Sequence, residues 1–132
     1  MIVYLPNVDA LMAPLITDTV MAQLVNDTYT PDVHHSYLTD VPSGARLGAP
    51  FELTVKSVSD GAFFSNAIAT AIAVAGGDVV TGIVFYRATG TEATSRLVAF
   101  QDRRADTVPL SIATDGNDIA FEWPYGGQVL KL

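Results

Sequence analysis

Residues 79–86 read VVTGIVFY and form the most apolar run of β-branched and aromatic side chains in the chain. Such residues favour strands, and a run that is apolar at successive positions predicts a strand covered on both faces. Gly90 ends this run, and SRLVAFQ at 95–101 follows as a further strand. Upstream, TVMAQLV at 19–25 is largely apolar at both alternating sets of positions, which predicts a second central strand.

Shorter alternating segments surround this centre. FELTV at 51–55 has one apolar side, and the turn residues Ser59-Asp60-Gly61 follow it. The alanine-rich stretch 67–75 is compatible with a helix or a strand, and we favour a strand because Gly76-Gly77-Asp78 leads directly into residue 79. Pro109 makes 108–112 a short edge strand. IAFEW at 119–123 alternates, and Gly126-Gly127 predicts a hairpin that pairs 128–132 back onto it.

The sequence therefore predicts an all-β fold: a single antiparallel β-sandwich or barrel-like domain of about eight short strands, spanning 1–132. We expect at most one or two short helices. The best helix candidate is 8–15, with Asn7 as its cap and Pro14 as its end. Segments 26–31 and 41–50 are predicted loops. Residues 1–15 are a possible N-terminal arm, with a segment packed on its own domain as the alternative.

Composition excludes several classes of function. Seven basic and fourteen acidic residues give a net charge of −7, so binding to nucleic acid through its phosphates is not expected. The absence of cysteine excludes disulfides and thiolate metal sites. Residues 1–7 lack the basic and apolar regions of a signal peptide. The uncharged stretch 61–77 is too short and too interrupted for a membrane span.

Two clusters resemble metal sites. His34 and His35 lie near Asp32 and Asp40, but adjacent residues on an extended segment point to opposite sides and seldom share one ion. A second cluster contains oxygen ligands suited to calcium, although its residues are also those of a tight turn: Asp115, Asn117 and Asp118 around Gly116. We expect no bound metal at either place.

No catalytic or cofactor-binding residues are predicted, and the chain is not expected to be an enzyme. The sequence has no nucleophile elbow, phosphate loop or dinucleotide fingerprint. Glu52 and Glu122 occupy positions that face solvent, and nothing selects a pair of carboxylates for acid–base chemistry. Arg103-Arg104 is the only basic doublet; it is a contact for an acidic partner or a solvated turn.

The apolar strands also predict the core. Six residues on them are expected to supply much of the core or an oligomer interface: Val84, Phe85, Tyr86, Leu97, Phe121 and Trp123.

The order of short motifs resembles small virion structural proteins of tailed bacteriophages. The first part is DTVMAQLV at 18–25, YTPD at 29–32, and then His35, Leu38, Asp40 and Val41. The second part is GIVFY at 82–86, a Thr-Gly turn, SRLVAF at 95–100, LSI at 110–112, IAFEW at 119–123 and VLKL at 129–132. RLGAP at 46–50 stands where that family usually has a Gly-Tyr-x-x-Gly-Gly turn.

The resemblance implies a non-enzymatic component of a virion, made in the host cytoplasm. A decoration (cement) protein on the capsid exterior is the first expectation, and a tail, neck or fibre-associated protein is the next. The implied partners are the major capsid protein and the chain itself, as a homotrimer at three-fold positions. A small β-sandwich that binds a ligand is the remaining alternative.

Overall fold

The fold, seen in a computed structural model that describes residues 4–66, 68–104 and 106–131, is all-β with antiparallel sheets, as predicted. A short helical segment precedes the strands. Its two pieces are α1 (Leu5–Met12) and α2 (Pro14–Thr17). The strands are β1 (Thr19–Val25), β2 (Arg46–Leu53), β3 (Ser57–Ser59), β4 (Ala62–Phe64), β5 (Ile68–Ala71), β6 (Val79–Val80), β7 (Gly82–Ala88), β8 (Arg96–Gln101), β9 (Ile112–Ala113), β10 (Ile119–Glu122) and β11 (Gln128–Lys131).

The main sheet has four strands in the order β2-β1-β7-β8. The pairing of β1 with β7 runs without a break from Thr19 opposite Ala88 to Val25 opposite Gly82. Both strands lie inside the sheet, which confirms that 19–25 is central and that the 82–86 part of the predicted strand 79–86 is central.

Each face of this sheet is covered by a separate layer. On one face, Ala22 and Phe85 join a core that also contains residues from the smaller sheets. On the other face, Val84 and Tyr86 pack under the segment that connects β1 to β2, where Tyr29 is buried. This two-sided burial explains why β1 and β7 are apolar at both alternating sets of positions.

Three small sheets form the layer opposite the first face: β10-β5, β11-β4-β3 and β6-β9. They bring aromatic rings onto the main sheet. Phe121 stacks on Phe51 with ring centroids 5.9 Å apart, and Trp123 meets Phe85 edge-on at 5.7 Å. Of the six predicted core residues, Leu97 is partly buried and the others are buried.

The N-terminal helix differs from its predicted bounds. α1 begins at Leu5 with a proline in its first turn and has no side-chain cap, so the expected Asn7 cap is wrong. Pro14 begins α2, because proline fits the first helical position, where its missing N–H is not needed. Val8, Met12 and Leu15 are all buried in the core. Residues 5–15 therefore pack on their own domain, and residues 1–3 of the possible arm lie outside the described residues.

The predicted loop 41–50 is wrong in its second half, because β2 begins at Arg46. Gly48 has φ +69°, and the pairing of β1 with β2 shifts register between Ala22 and Leu24. A bulge of this kind requires glycine and conceals the strand in the sequence. Pro50 is tolerated because β2 is an edge strand of the main sheet.

The predicted bounds of the shorter strands also change. The run 79–86 is divided at Thr81 into β6 and β7. The strand expected at 51–55 ends at Leu53, since Val55 has φ +51°. The expected strand in 67–75 is present as β5, with Ala67 outside the described residues. Instead of a strand at 108–112, Pro109 forms an isolated bridge and β9 begins at Ile112.

The predicted terminal hairpin is wrong. β10 pairs with β5, and β11 pairs with β4 in another sheet. A helical turn at Pro124–Gly126 separates the two strands, and Gly127 follows with φ +133°. The Ser65 N–H donates to the Gly127 carbonyl at 2.9 Å, which directs the chain onto β4.

Gln23 holds the bulge of β2 in place, and its loss should destabilise the fold. Its buried side-chain amide donates to the carbonyls of Leu47 at 3.2 Å and Gly48 at 3.1 Å. Gln23→Leu leaves these carbonyls without that donor, so we expect a loss of about 1–3 kcal/mol in the free energy of unfolding. Urea titration measures it. Met21→Leu on the same strand is the control, and equal losses would contradict this role.

Candidate functional site

The histidine pair does not converge on one point. His35 Nδ1 lies 3.0 Å from the Tyr29 hydroxyl, and the two rings stack with centroids 5.7 Å apart. The backbone N–H of His34 donates to Asp32 Oδ1 at 2.8 Å. Asp40 Oδ2 accepts from the backbone N–H groups of Ser36 and Tyr37. Each carboxylate therefore organises the loop between β1 and β2.

The Asp115 turn is likewise held by its own hydrogen bonds. Asp115 Oδ1 accepts from the Asn117 N–H at 3.0 Å, and Asp118 Oδ1 accepts from the Ala73 N–H at 2.7 Å. The Asn117 backbone and side-chain donors lower the pKa of Asp115. Across the part of the chain that the structure describes, no three His, Asp or Glu side chains form a group able to hold a metal ion.

Independence from metals remains a prediction. We expect the melting temperature to be the same with and without a chelator, because the carboxylates of both clusters are engaged with backbone N–H groups. Thermal unfolding in a calcium- and zinc-free buffer tests this. A fall of several degrees on chelation that calcium or zinc reverses would contradict it.

An open groove lies between the 29–35 segment and β8, with a volume of about 510 Å³. Tyr29, Val33 and His35 line one side, and residues 97–100 of β8 line the other. Asp32 stands at its rim. The volume is within the range of small-ligand sites, roughly 300–1,000 Å³. This groove is the candidate binding site.

Aromatic packing fixes the floor of the groove. Phe100 meets Tyr29 edge-on, with ring centroids 5.8 Å apart. Burial raises the pKa of the Tyr29 hydroxyl, and the nearby Asp40 and Asp32 carboxylates raise it further. The phenol is therefore protonated at neutral pH and available for hydrogen bonding with His35. Tyr29, His35 and Phe100 thus give the groove aromatic rings for stacking and polar atoms for hydrogen bonds, and both are typical of a binding site.

The sequence predicts neither this groove nor its position. Tyr29, Asp32 and His35 belong to the motif that carries the resemblance. β8 lies next to them in space only because of the strand order β1-β7-β8, which the motif does not reveal. The residues that line the groove are mainly apolar, as core residues are. Their composition therefore does not mark them as a binding site in the sequence.

A smaller depression of about 340 Å³ contains the arginine doublet. Arg104 Nη2 lies 2.9 Å from Asp106 Oδ2, and Arg103 Nη1 donates to the Thr107 carbonyl at 3.0 Å. Both side chains are thus engaged with their own turn. The arrangement favours the solvated turn over a contact for an acidic partner.

The three glutamates of the chain have different surroundings in the structure. Glu52 and Glu122 are exposed, as predicted. Glu92 forms an ion pair with Arg46 that the sequence does not indicate. Arg46 also donates to the carbonyls of Leu38 and Val41, so it ties β2 to the loop behind the groove.

Asp40 should make the stability of this loop depend on pH. The Ser36 and Tyr37 N–H groups lower the pKa of Asp40 from its usual value of 3.8. The stabilisation is therefore present above pH 3.8 and is lost as pH falls through the lower folded-state pKa. We expect Asp40→Asn to be less stable than the native chain at pH 6, with the difference shrinking towards pH 2. Urea unfolding at both values measures this, and a constant difference would contradict it.

Comparison of the sequence with protein-family models and with curated proteins finds no match. Among the described residues, no helix is long and apolar enough to cross a membrane. The fold and groove define the chain as an all-β domain with an open apolar groove at one edge of its main sheet.

Proposed function

We propose that this chain is a non-enzymatic structural component of a tailed-phage virion. Its proposed place is the capsid exterior, where it acts as a decoration protein, forming homotrimers on the major capsid protein. The motif order over 18–132 supports the class of protein, and the surface of the N-terminal helices supports attachment to other chains.

The exposed apolar side of the helical segment is the observation that carries the proposal. Leu11 is 79% exposed and Tyr4, which directly precedes α1, is 68% exposed, while Val8 and Met12 of the helix are buried. A surface helix of an isolated domain normally presents polar residues to water. Apolar residues on both sides are typical of a helix that contacts its own core and a second protein.

The charge of the chain supports an external position. A net charge of −7 is unfavourable next to packaged DNA and compatible with the outside of a capsid. The same features are compatible with a tail, neck or fibre-associated protein. The groove beside Tyr29 favours the remaining alternative, a small ligand-binding β-sandwich.

The test compares two exposed positions. Leu11→Asp places a charge on the proposed contact, and Val55→Asp places the same charge at an 83% exposed position outside the helices. Native mass measurement and co-sedimentation with purified heads of the encoding phage are the readouts. We expect the native chain and Val55→Asp to be trimers that sediment with heads.

Leu11→Asp should lose both properties with nearly unchanged melting temperature, because the side chain lies outside the core. A native chain that is monomeric and stays in the supernatant would overturn the proposal. Co-sedimentation with tails rather than heads would support the tail placement instead.

A further inference from the structure

The two edges of the main sheet are protected differently. β2 carries Pro50, which has no N–H to offer an incoming strand. β8 has no proline, and segments of the same chain cover its ends. The Leu97 N–H donates to the Ser36 carbonyl at 3.0 Å, and the Asp102 carbonyl accepts from Leu110 at 2.8 Å.

Between these two points, the outer edge of β8 is open. In the described chain, no backbone group outside the main sheet hydrogen bonds to residues 98–101. The gap is four residues long, about 13 Å at the usual rise of a strand. It coincides with the groove, since Val98, Ala99 and Phe100 line both.

The register identifies the free groups. The Leu97 N–H and the Asp102 carbonyl point away from β7, and a bulge near Val98 shifts the alternation by one residue. Phe100, opposite Val84, therefore directs its N–H and its carbonyl outward. Such a pair matches one residue of an extended peptide, which offers a carbonyl and an N–H in return.

We propose that the β8 edge is a docking site for a short extended segment of a partner protein that carries a basic residue. The segment pairs with Phe100 and inserts an apolar side chain between the Phe100 ring and Val33, which is 95% exposed. The basic side chain lies beside the Asp32 carboxylate at the rim, and the overall charge of −7 favours a cationic segment. This inference goes beyond the proposed function, because it concerns a partner bound at the sheet edge and not through the helical segment.

The probe is a pair of capped pentapeptides, acetyl-Lys-Val-Thr-Val-Lys-amide and its Glu counterpart, at about 1 mM. Each is titrated into the full ¹⁵N-labelled chain and followed by amide chemical shifts. We expect saturable changes at residues 97–102 and 29–35, largest at the Phe100 amide. The Lys peptide should bind about two- to fivefold more tightly, as expected for an exposed ion pair.

Asp32→Asn separates charge from structure, since the asparagine oxygen can still accept from the His34 N–H. It should reduce the preference for the Lys peptide, with only the part due to the overall charge remaining. Asp115→Asn makes the same change in a similar turn outside the groove and should leave the preference intact. If neither peptide binds, or if the chemical-shift changes lie away from β8, the docking site is overturned. Equal binding of the two peptides would overturn the commitment to a basic partner.

Discussion

Gly127→Ala is expected to reduce the free energy of unfolding by about 2–5 kcal/mol, since it combines backbone strain with overpacking. Gly127 has φ +133°, a conformation that residues with a side chain rarely adopt. A Cβ added there would overlap the Ser65 carbonyl oxygen, which belongs to the backbone and cannot rotate away. The Ser65–Gly127 hydrogen bond would be disrupted, and β11 would lose its register on β4. Urea unfolding followed by circular dichroism measures the loss.

Substitutions at two other glycines distinguish backbone strain from overpacking as the cause of the expected loss of stability. Gly126 has φ +74° but open space around its Cα, so Gly126→Ala should show strain alone, about 1–2 kcal/mol. Gly44 has neither a positive φ nor a neighbour within 4 Å, and Gly44→Ala should be nearly neutral. If Gly127→Ala were as stable as Gly126→Ala, the close approach to Ser65 would not determine the path of β11.

Trp123→Ala should cost roughly 3–5 kcal/mol, as expected when a large buried ring is removed. The ring is 5% exposed and contacts two other aromatic residues. Phe85 lies edge-on at 5.7 Å and Phe121 is stacked at 6.1 Å. The cavity would lie between the main sheet and β10, where the two layers meet. Thermal and urea unfolding are the measurements.

Trp123→Phe is the matched variant. Trp123 Nε1 is buried without a hydrogen-bond partner among the described residues, so its removal loses no hydrogen bond. We therefore expect Trp123→Phe to cost clearly less than Trp123→Ala, about 1–2 kcal/mol for the smaller ring. Unchanged stability of Trp123→Ala would place the ring outside the cooperative core. Equal losses for both variants would indicate that Nε1 is engaged.

Local pattern predicts the centre of the fold because burial on two faces leaves a direct record in the sequence. β1 and β7 are apolar at both sets of alternating positions, and β10 is apolar at Ile119 and Phe121. Each pattern depends on residues that are neighbours in the chain. The all-β class, the central strands and most of the buried aromatic residues could therefore be predicted.

The sequence did not predict two other strands correctly, because the interactions that fix these strands join residues that are distant in the chain. β2 contains Gly48 and Pro50, which usually mark a loop, and it becomes a strand because Gln23 and β1 support its bulged backbone. β11 follows a hairpin signal but pairs with β4, because the Gly127 conformation directs it towards Ser65. A turn signal gives the position of a reversal and does not select the partner strand.

By itself, the sequence determined which strands are central and which side chains on them form the core, because both follow from local hydrophobicity. The tertiary structure decided the candidate site. The loop with Tyr29 and His35 follows β1, and it contacts β8 because the strand order places β8 one strand beyond β7, on the same side of β1. The open edge at Phe100 exists because two distant segments, near Ser36 and Leu110, cover its ends. Strand order and edge coverage depend on long-range pairing, in which many partners satisfy the same local pattern.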